Sequence, residues 1–156
     1  MIEIGEKKQN ISYKKRLAAY SIMVRKTDNK VAIATDKENV YFLLGGGSIT
    51  GESDIETLKR EVIEETGYSL KKIKYFDKIR SWYYSDKYGY VDTQAIIFIS
   101  EFNKKVTNPI ELDHKVLWVS PNEYKDKLYY EYQRYILNEY IRRKSNEWKN
   151  NLFSNH

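Results

Sequence analysis

Five glutamates crowd the stretch of this chain between residues 52 and 65: Glu52, Glu56, Glu61, Glu64 and Glu65, with Arg60 among them. Glu61 stands three and four residues before Glu64 and Glu65. On a helix these carboxylates are neighbours, and each like-charge pair costs roughly 0.2–0.5 kcal/mol. They also fall in the last turns of the segment, where the helix dipole disfavours negative charge. Arg60, four after Glu56 and four before Glu64, offsets part of the repulsion, and a divalent cation would offset the rest. Clustered carboxylate oxygens without a nearby imidazole or thiolate are the ligand set of a hard ion such as Mg²⁺ or Mn²⁺, not of zinc. Mg²⁺ binds few protein carboxylates and takes phosphate oxygens, so the chemistry implied is that of a phosphate or diphosphate.

The residues ahead of the acids agree with this reading. Gly45, Gly46 and Gly47 stand in a row, and without side chains they let backbone groups approach a ligand closely, next to the anion-favouring start of a helix. Gly46 and Gly47 are thereby candidate substrate contacts. A P-loop is excluded, because GGGSITGES has no lysine after its final glycine.

Elements must hold these groups in place. Ser53 and Glu56 make a capping box, Asp54 suits the first turn, and Gly67 can adopt the left-handed stop, which predicts a helix near 53–66. Ile55, Leu58 and Val62 give it an apolar stripe, with Glu61, Glu64 and Glu65 on a different face. Alternating apolar residues predict strands over 17–25 and 31–35, with 27–30 and 36–39 as turns. The apolar run 40–44 reads as a strand buried on both faces, ending at a glycine loop. Long strands follow over 73–84 and 91–102, a loop over 103–114, and a short strand over 115–119. From Asn122 the pattern is helical, with Tyr129, Tyr132, Ile136 and Tyr140 as its apolar stripe. These tyrosines suit a core or a subunit interface, such as that of a homodimer.

Composition bounds the rest. At 156 residues and 41% hydrophobic content, the chain suits one domain over 1–156 with a core that needs no staples. Residues 1–15 read as a polar lead and 149–156 as a frayed tail. The chain has no cysteine and two histidines, His114 and His156, so neither disulfides nor a His/Cys zinc site is available. Without a signal-like or membrane-length apolar run, the expectation is a soluble cytoplasmic protein. The net charge of +5 and 15 tyrosines invite a nucleic-acid partner. The lysines are scattered among acids, however, which argues for a solvated surface instead.

The segment 46–68 resembles the Nudix box: Gly, five residues, Glu, seven residues, Arg-Glu, an aliphatic, any residue, Glu-Glu, any residue, Gly and a hydrophobic. Gly46, Glu52, Arg60, Glu61, Val62, Glu64, Glu65, Gly67 and Tyr68 occupy every specified position. The resemblance implies an α+β fold, an α/β/α sandwich around a mixed, curved sheet. It further implies that Glu61, Glu64 and Glu65 bind divalent metal, joined by the main-chain carbonyl of Gly45, while Arg60 and Glu52 orient the ligands. The implied reaction is hydrolysis of a nucleoside diphosphate linked to another group, the small-molecule substrate. The alternative is a module that keeps the fold to sense a nucleotide.

Two positions depart from common versions of this family, Ile49 for an acid and Leu44 for a proline. Many members draw a general base from outside the box, near the final strand, where this chain carries Lys115 and Leu117. Glu111, Asp113, Asp92 and Glu101 are the alternatives. His114 could act as a base, although a loop histidine is more commonly a surface or hydrogen-bonded residue. Trp82, Tyr83, Tyr84, Tyr88 and Tyr90 could stack a nucleobase, Tyr84 and Tyr88 foremost, or could equally be cross-strand packing pairs.

Overall fold

The computed structural model describes residues 1–110 and 114–154. Glu111 and Asp113 therefore lie outside the described residues. In chain order the elements are β1 (Ile2–Ile4), β2 (Lys14–Arg25), β3 (Lys30–Thr35), β4 (Tyr41–Phe42), β5 (Leu44–Gly47), α1 (Asp54–Thr66), β6 (Tyr68–Ser85), β7 (Gly89–Lys105), β8 (Lys115–Val119), α2 (Pro121–Tyr124) and α3 (Glu131–Ser154).

One mixed sheet carries the architecture. Its main path runs β1-β6-β7-β2-β3-β4, with β5 also on β2 and β8 on β3. β2 pairs parallel with β7 and antiparallel with β3 and β5, and β1 lies parallel to β6. This central place explains why both alternating sets of β2 are apolar. Ala18, Tyr20 and Ile22 join Val31, Ile33, Leu43, Ile79 and Ile97 in the layer under α3, which contributes Tyr132, Ile136, Leu137 and Tyr140. Ala19 and Met23 join Ala32, Ala34, Leu44 and Phe98 under Leu58 and Val62 of α1. A helix thus covers each face of the sheet. No helix among the described residues is long and apolar enough to cross a membrane.

Several expectations need correction. The lead contains β1, whose Ile2 and Ile4 alternate over too few residues to stand out in sequence, and α3 runs on to Ser154. The 40–44 run is not one buried strand. Tyr41 and Phe42 form a half-buried edge strand on β3, and a second strand begins at Leu44 and takes in all three glycines. Between them, the backbone N–H of Leu43 donates to Oε1 of the fully buried Gln133 at 2.8 Å, which satisfies a donor the broken strand would leave open. Tyr129 precedes α3 and is exposed, whereas Leu137 takes a place in the core stripe.

Helix α1 begins and ends as its sequence dictates. Ser53 Oγ accepts from the Glu56 amide at 3.2 Å, and Gly67, at φ 79°, donates to the Ile63 carbonyl at 2.8 Å. Its buried face differs from expectation. Ile55 is exposed, and the buried positions are Thr57, Leu58, Val62 and Glu65. The first turn leans towards residues 48–52, with Thr57 Oγ1 3.0 Å from Ser48 Oγ and 3.1 Å from Glu52 Oε1, so position 57 is enclosed and 55 is not. Glu65 continues the Leu58–Val62 stripe at helical spacing. It therefore lies with the core positions, unlike Glu61 and Glu64.

Candidate active site

The site is the seam between α1 and β5. Arg60 is its hub. Its Nε donates to Oε2 of Glu52 at 2.6 Å, Nη2 donates to Oε1 of Glu52 at 3.0 Å and to the Gly47 carbonyl at 2.9 Å, and Nη1 donates to Oε1 of Glu61 at 3.1 Å. The contact of Nη1 with Glu64 is longer, 3.3 Å. One guanidinium thus ties the loop before α1, the glycine strand and two helix carboxylates together, in the fork geometry that arginine alone provides. Glu52 also accepts from the Ile49 amide at 2.8 Å. The Arg60 hydrogen bonds, followed by that amide, pull the Glu52 carboxyl down to about 2, so it is ionised at any physiological pH.

Glu65 is held differently. Only 6% exposed, it accepts from the Gly45 amide through Oε1 at 2.9 Å. Its Oε2 lies 4.0 Å from Nδ1 of His114. Glu61 and Glu65 of α1 thus meet β5 at Gly46 and Gly45, while Glu64 is turned to Arg60, which also binds Glu61. Among the described residues, no three acidic or histidine side chains converge as a ready-made cage.

The glycines belong to this geometry in three different ways. Gly45, at φ 137°, is confined by β2: a Cβ there would lie 2.1 Å from the Ala19 carbonyl oxygen and 2.7 Å from the Tyr20 Cα. Gly46 faces α1, and a Cβ would lie 2.5 Å from the Glu61 carboxyl carbon. Gly47 points the other way, towards the Arg16 guanidinium at 3.6 Å. In sequence the three read as a loop free to wrap a ligand. In the fold they form a strand without side chains, because the neighbours on both sides come too close at two of its positions.

The remaining candidates are dispersed. Asp92 is buried and bound bidentately to Arg80 at 2.9 and 2.7 Å, which holds its carboxyl below the ordinary range. Glu101 lines a separate groove of about 960 Å³, where Lys26 and Lys72 approach it at 3.7 and 3.8 Å. Tyr84 and Tyr88 are exposed at the end of the β6–β7 hairpin. Tyr84 packs edge-on to Tyr90, and Tyr88 lies under the ammonium of Lys14 at 4.6 Å. Sequence reasoning did not single out Arg16, whose guanidinium lies beside Gly47 and next to Tyr20, Tyr83 and Tyr132 in a cluster of packed tyrosine rings. The alternation of β2 carried a signal for Arg16, which shares a face with Ala18 and Tyr20.

Comparison with known proteins bears on this arrangement. The family model described as NUDIX domain matches residues 14–140. Among solved structures, the chain is similar to a NUDIX hydrolase from Nitrosomonas europaea, with TM-score 0.68 and 17% identity over 82% of this chain and 89% of that one. It is also similar to the MutT protein from Methanosarcina mazei Go1, with TM-score 0.65 and 20% identity over 86% and 99%. A MutT protein from Bacillus halodurans gives TM-score 0.64 and 18% identity over 79% and 80%. At these identities the likeness is one of fold, and the mixed sheet with helices on both faces is the architecture expected from sequence. No curated protein sequence matches the chain.

Proposed function

The chain belongs to the NUDIX domain family, hydrolases of phosphorus-containing anhydrides, and we propose that within it the chain is a divalent-metal-dependent hydrolase of a nucleoside diphosphate derivative. The observation that carries this reading is the placing of Glu61 and Glu65 of α1 against the glycines of β5, with Glu64 tied to the same Arg60 that binds Glu61. Glu61, Glu64 and Glu65 would hold Mg²⁺ or Mn²⁺, joined by the Gly45 carbonyl. The donor set fits, being all oxygen. Gly46 also keeps the Glu61 carboxylate in its place, since a side chain at residue 46 would collide with it. A bound divalent cation supplies Lewis-acid polarisation of a phosphoryl oxygen and neutralises diphosphate charge.

The chain's own residues do the rest. Arg60 and Glu52 fix the inner face of the site, because their fork of hydrogen bonds also grips the Gly47 carbonyl. Glu65 is fixed through the Gly45 amide, so its second oxygen keeps a set direction. Tyr84 and Tyr88 offer exposed rings for a base. Among the candidate proton acceptors, the carboxylates of Asp92 and Glu101 are paired with cations, Arg80 for the first and Lys26 and Lys72 for the second. Of the described residues near the end of α1, the Ile110 amide donates to the Glu64 carbonyl at 2.9 Å, and His114 stands beside Glu65.

The test is turnover of a panel of nucleoside diphosphate derivatives with Mg²⁺, read as phosphorus-31 product signals. Glu64→Gln and Glu65→Gln each remove a charged oxygen donor with almost no change of volume. Each should lower turnover by orders of magnitude while the far-UV circular dichroism is unchanged. Wild-type turnover in both variants would sink the assignment.

A further inference from the structure

The chain has seven arginines. Five face carboxylates: Arg25, Arg60, Arg80, Arg142 and Arg143. Arg134 donates to the carbonyls of Leu128 and Tyr129 at 2.7 and 2.9 Å. Arg16 differs. It is half-buried, and the polar groups that surround it are phenols, those of Tyr20, Tyr132 and Tyr83, with the Tyr20 ring centroid 5.9 Å away. Burial holds the phenols of Tyr83 and Tyr132 above the ordinary tyrosine value, so these two are neutral at neutral pH. It pushes Tyr130 up to about 12. Among the described residues Arg16 forms no ion pair with a carboxylate, and a half-buried cation without a counter-charge is costly, so an anionic ligand would stabilise it.

Gly47 supplies the second observation. Gly45 is glycine because of its backbone conformation and the closeness of β2, and Gly46 because of Glu61. Neither reason reaches Gly47. Its φ lies outside the left-handed region, and a Cβ would meet nothing nearer than the Arg16 guanidinium at an ordinary 3.6 Å. Its missing side chain leaves the flank of that guanidinium open. Because successive strand residues point to opposite faces, this opening lies on the side of β5 away from Glu61. Lys14, two residues before Arg16 on the same face of β2, adds a second cation at the rim above Tyr88.

We propose that Arg16, with the open flank of Gly47 and the rim residue Lys14, forms an anion subsite that takes a phosphate group of the nucleotide substrate without the help of a metal. The identity of the ligand rests on the hydrolase reading; the existence of an anion site does not. Arg16 here is a binding and positioning residue: its planar fork meets two phosphate oxygens at once, and it leaves the carboxylates of α1 to the reacting phosphorus.

The experiment is calorimetric titration of the full chain with ADP and, separately, with inorganic pyrophosphate, both in excess EDTA. Wild type should bind both probes, and Glu64→Gln, although deficient in turnover, should bind them as wild type does. Arg16→Gln should weaken binding on the order of 10- to 100-fold, the range for a charged hydrogen-bonding group. Arg16→Lys should recover part of the loss, which a purely structural arginine would not. Gly47→Ala narrows the opening and should weaken binding without unfolding the chain. No binding by wild type in EDTA, wild-type affinity in folded Arg16→Gln, or wild-type affinity in Gly47→Ala would each overturn the proposal. Full turnover by both Glu64→Gln and Glu65→Gln would instead sink the hydrolase reading and leave the anion subsite standing.

Discussion

Three consecutive glycines invite one substitution made three times, and the fold predicts that alanine will separate stability from activity at two of them. At Gly45 the new Cβ meets backbone, 2.1 Å from the Ala19 carbonyl oxygen, in a conformation of φ 137° that side chains rarely adopt. Backbone in such a region costs roughly 1–3 kcal/mol before the overlap is counted. A kcal/mol shifts the melting temperature of a chain this size by about 2–4 °C. Gly45→Ala should therefore lose roughly 5–10 °C or fail to fold. At Gly46 the obstruction is the far end of a side chain, the Glu61 carboxyl carbon at 2.5 Å, where ordinary contact begins near 3.4 Å. The carboxylate can retreat by about 1 Å through its own torsions, at a cost to stability of roughly 1 kcal/mol or less for an off-rotamer side chain. That displacement also pulls it from Arg60 Nη1, now 3.1 Å away. A misplacement of about 1 Å in a catalytic array can cost on the order of 100-fold in rate. Gly46→Ala should thus melt within about 4 °C of wild type and lose on the order of 100-fold in kcat/KM. Scanning calorimetry and a phosphate-release assay on the same preparations decide the matter. Wild-type kcat/KM in Gly46→Ala, or a melting temperature as low as that of Gly45→Ala, would refute the reasoning.

Two further expectations follow from α1 and its cap. The Glu52 carboxyl is depressed from its ordinary value to about 2 by Arg60, so its stabilising contribution is complete above the unfolded value near 4.5 and fades as pH falls towards 2. The difference in melting temperature between wild type and Glu52→Gln should accordingly shrink between pH 6 and pH 2.5, and a gap that does not change with pH would contradict the Arg60–Glu52 pairing. In denaturant melts, Leu58→Ala should cost about 2–5 kcal/mol, as for a fully buried leucine, while Ile55→Ala should stay within about 0.5 kcal/mol; equal losses would restore Ile55 to the core face.

Much of the fold was legible because its signals are local. Ser53, Glu56 and Gly67 determine where α1 starts and stops through bonds that span only a few residues, and the 115–119 strand reads correctly from its own alternation. What escaped depends on partners distant in sequence. Ile2 and Ile4 become a strand only because β6 offers an edge 77 residues away. Tyr129 has the right spacing for a stripe, yet its amide is drawn to the Tyr41 carbonyl, which ends the helical pattern before it begins. Glu65 was grouped with Glu61 and Glu64 by residue type, whereas helical geometry assigns it to the Leu58–Val62 line. The bidentate pairing of Asp92 with Arg80 and the lysine groove around Glu101 likewise bring together residues from different strands, which no spacing rule conveys.

The glycine strand is where local and distant constraints meet. A loop that wraps a ligand needs flexibility, and its glycines would be interchangeable. A strand pressed between β2 and α1 needs the absence of side chains at particular positions, for reasons that differ residue by residue. β5 meets the second description. Its hydrogen bonds to residues 18–21 of β2 hold it in register. The Gly45 amide then has a fixed direction for Glu65, and the Gly47 carbonyl has one for Arg60. On the proposed reading, carboxylates on one face of β5 and the Arg16 guanidinium on the other would act on one substrate only if the strand between them holds its place, which the register with β2 provides.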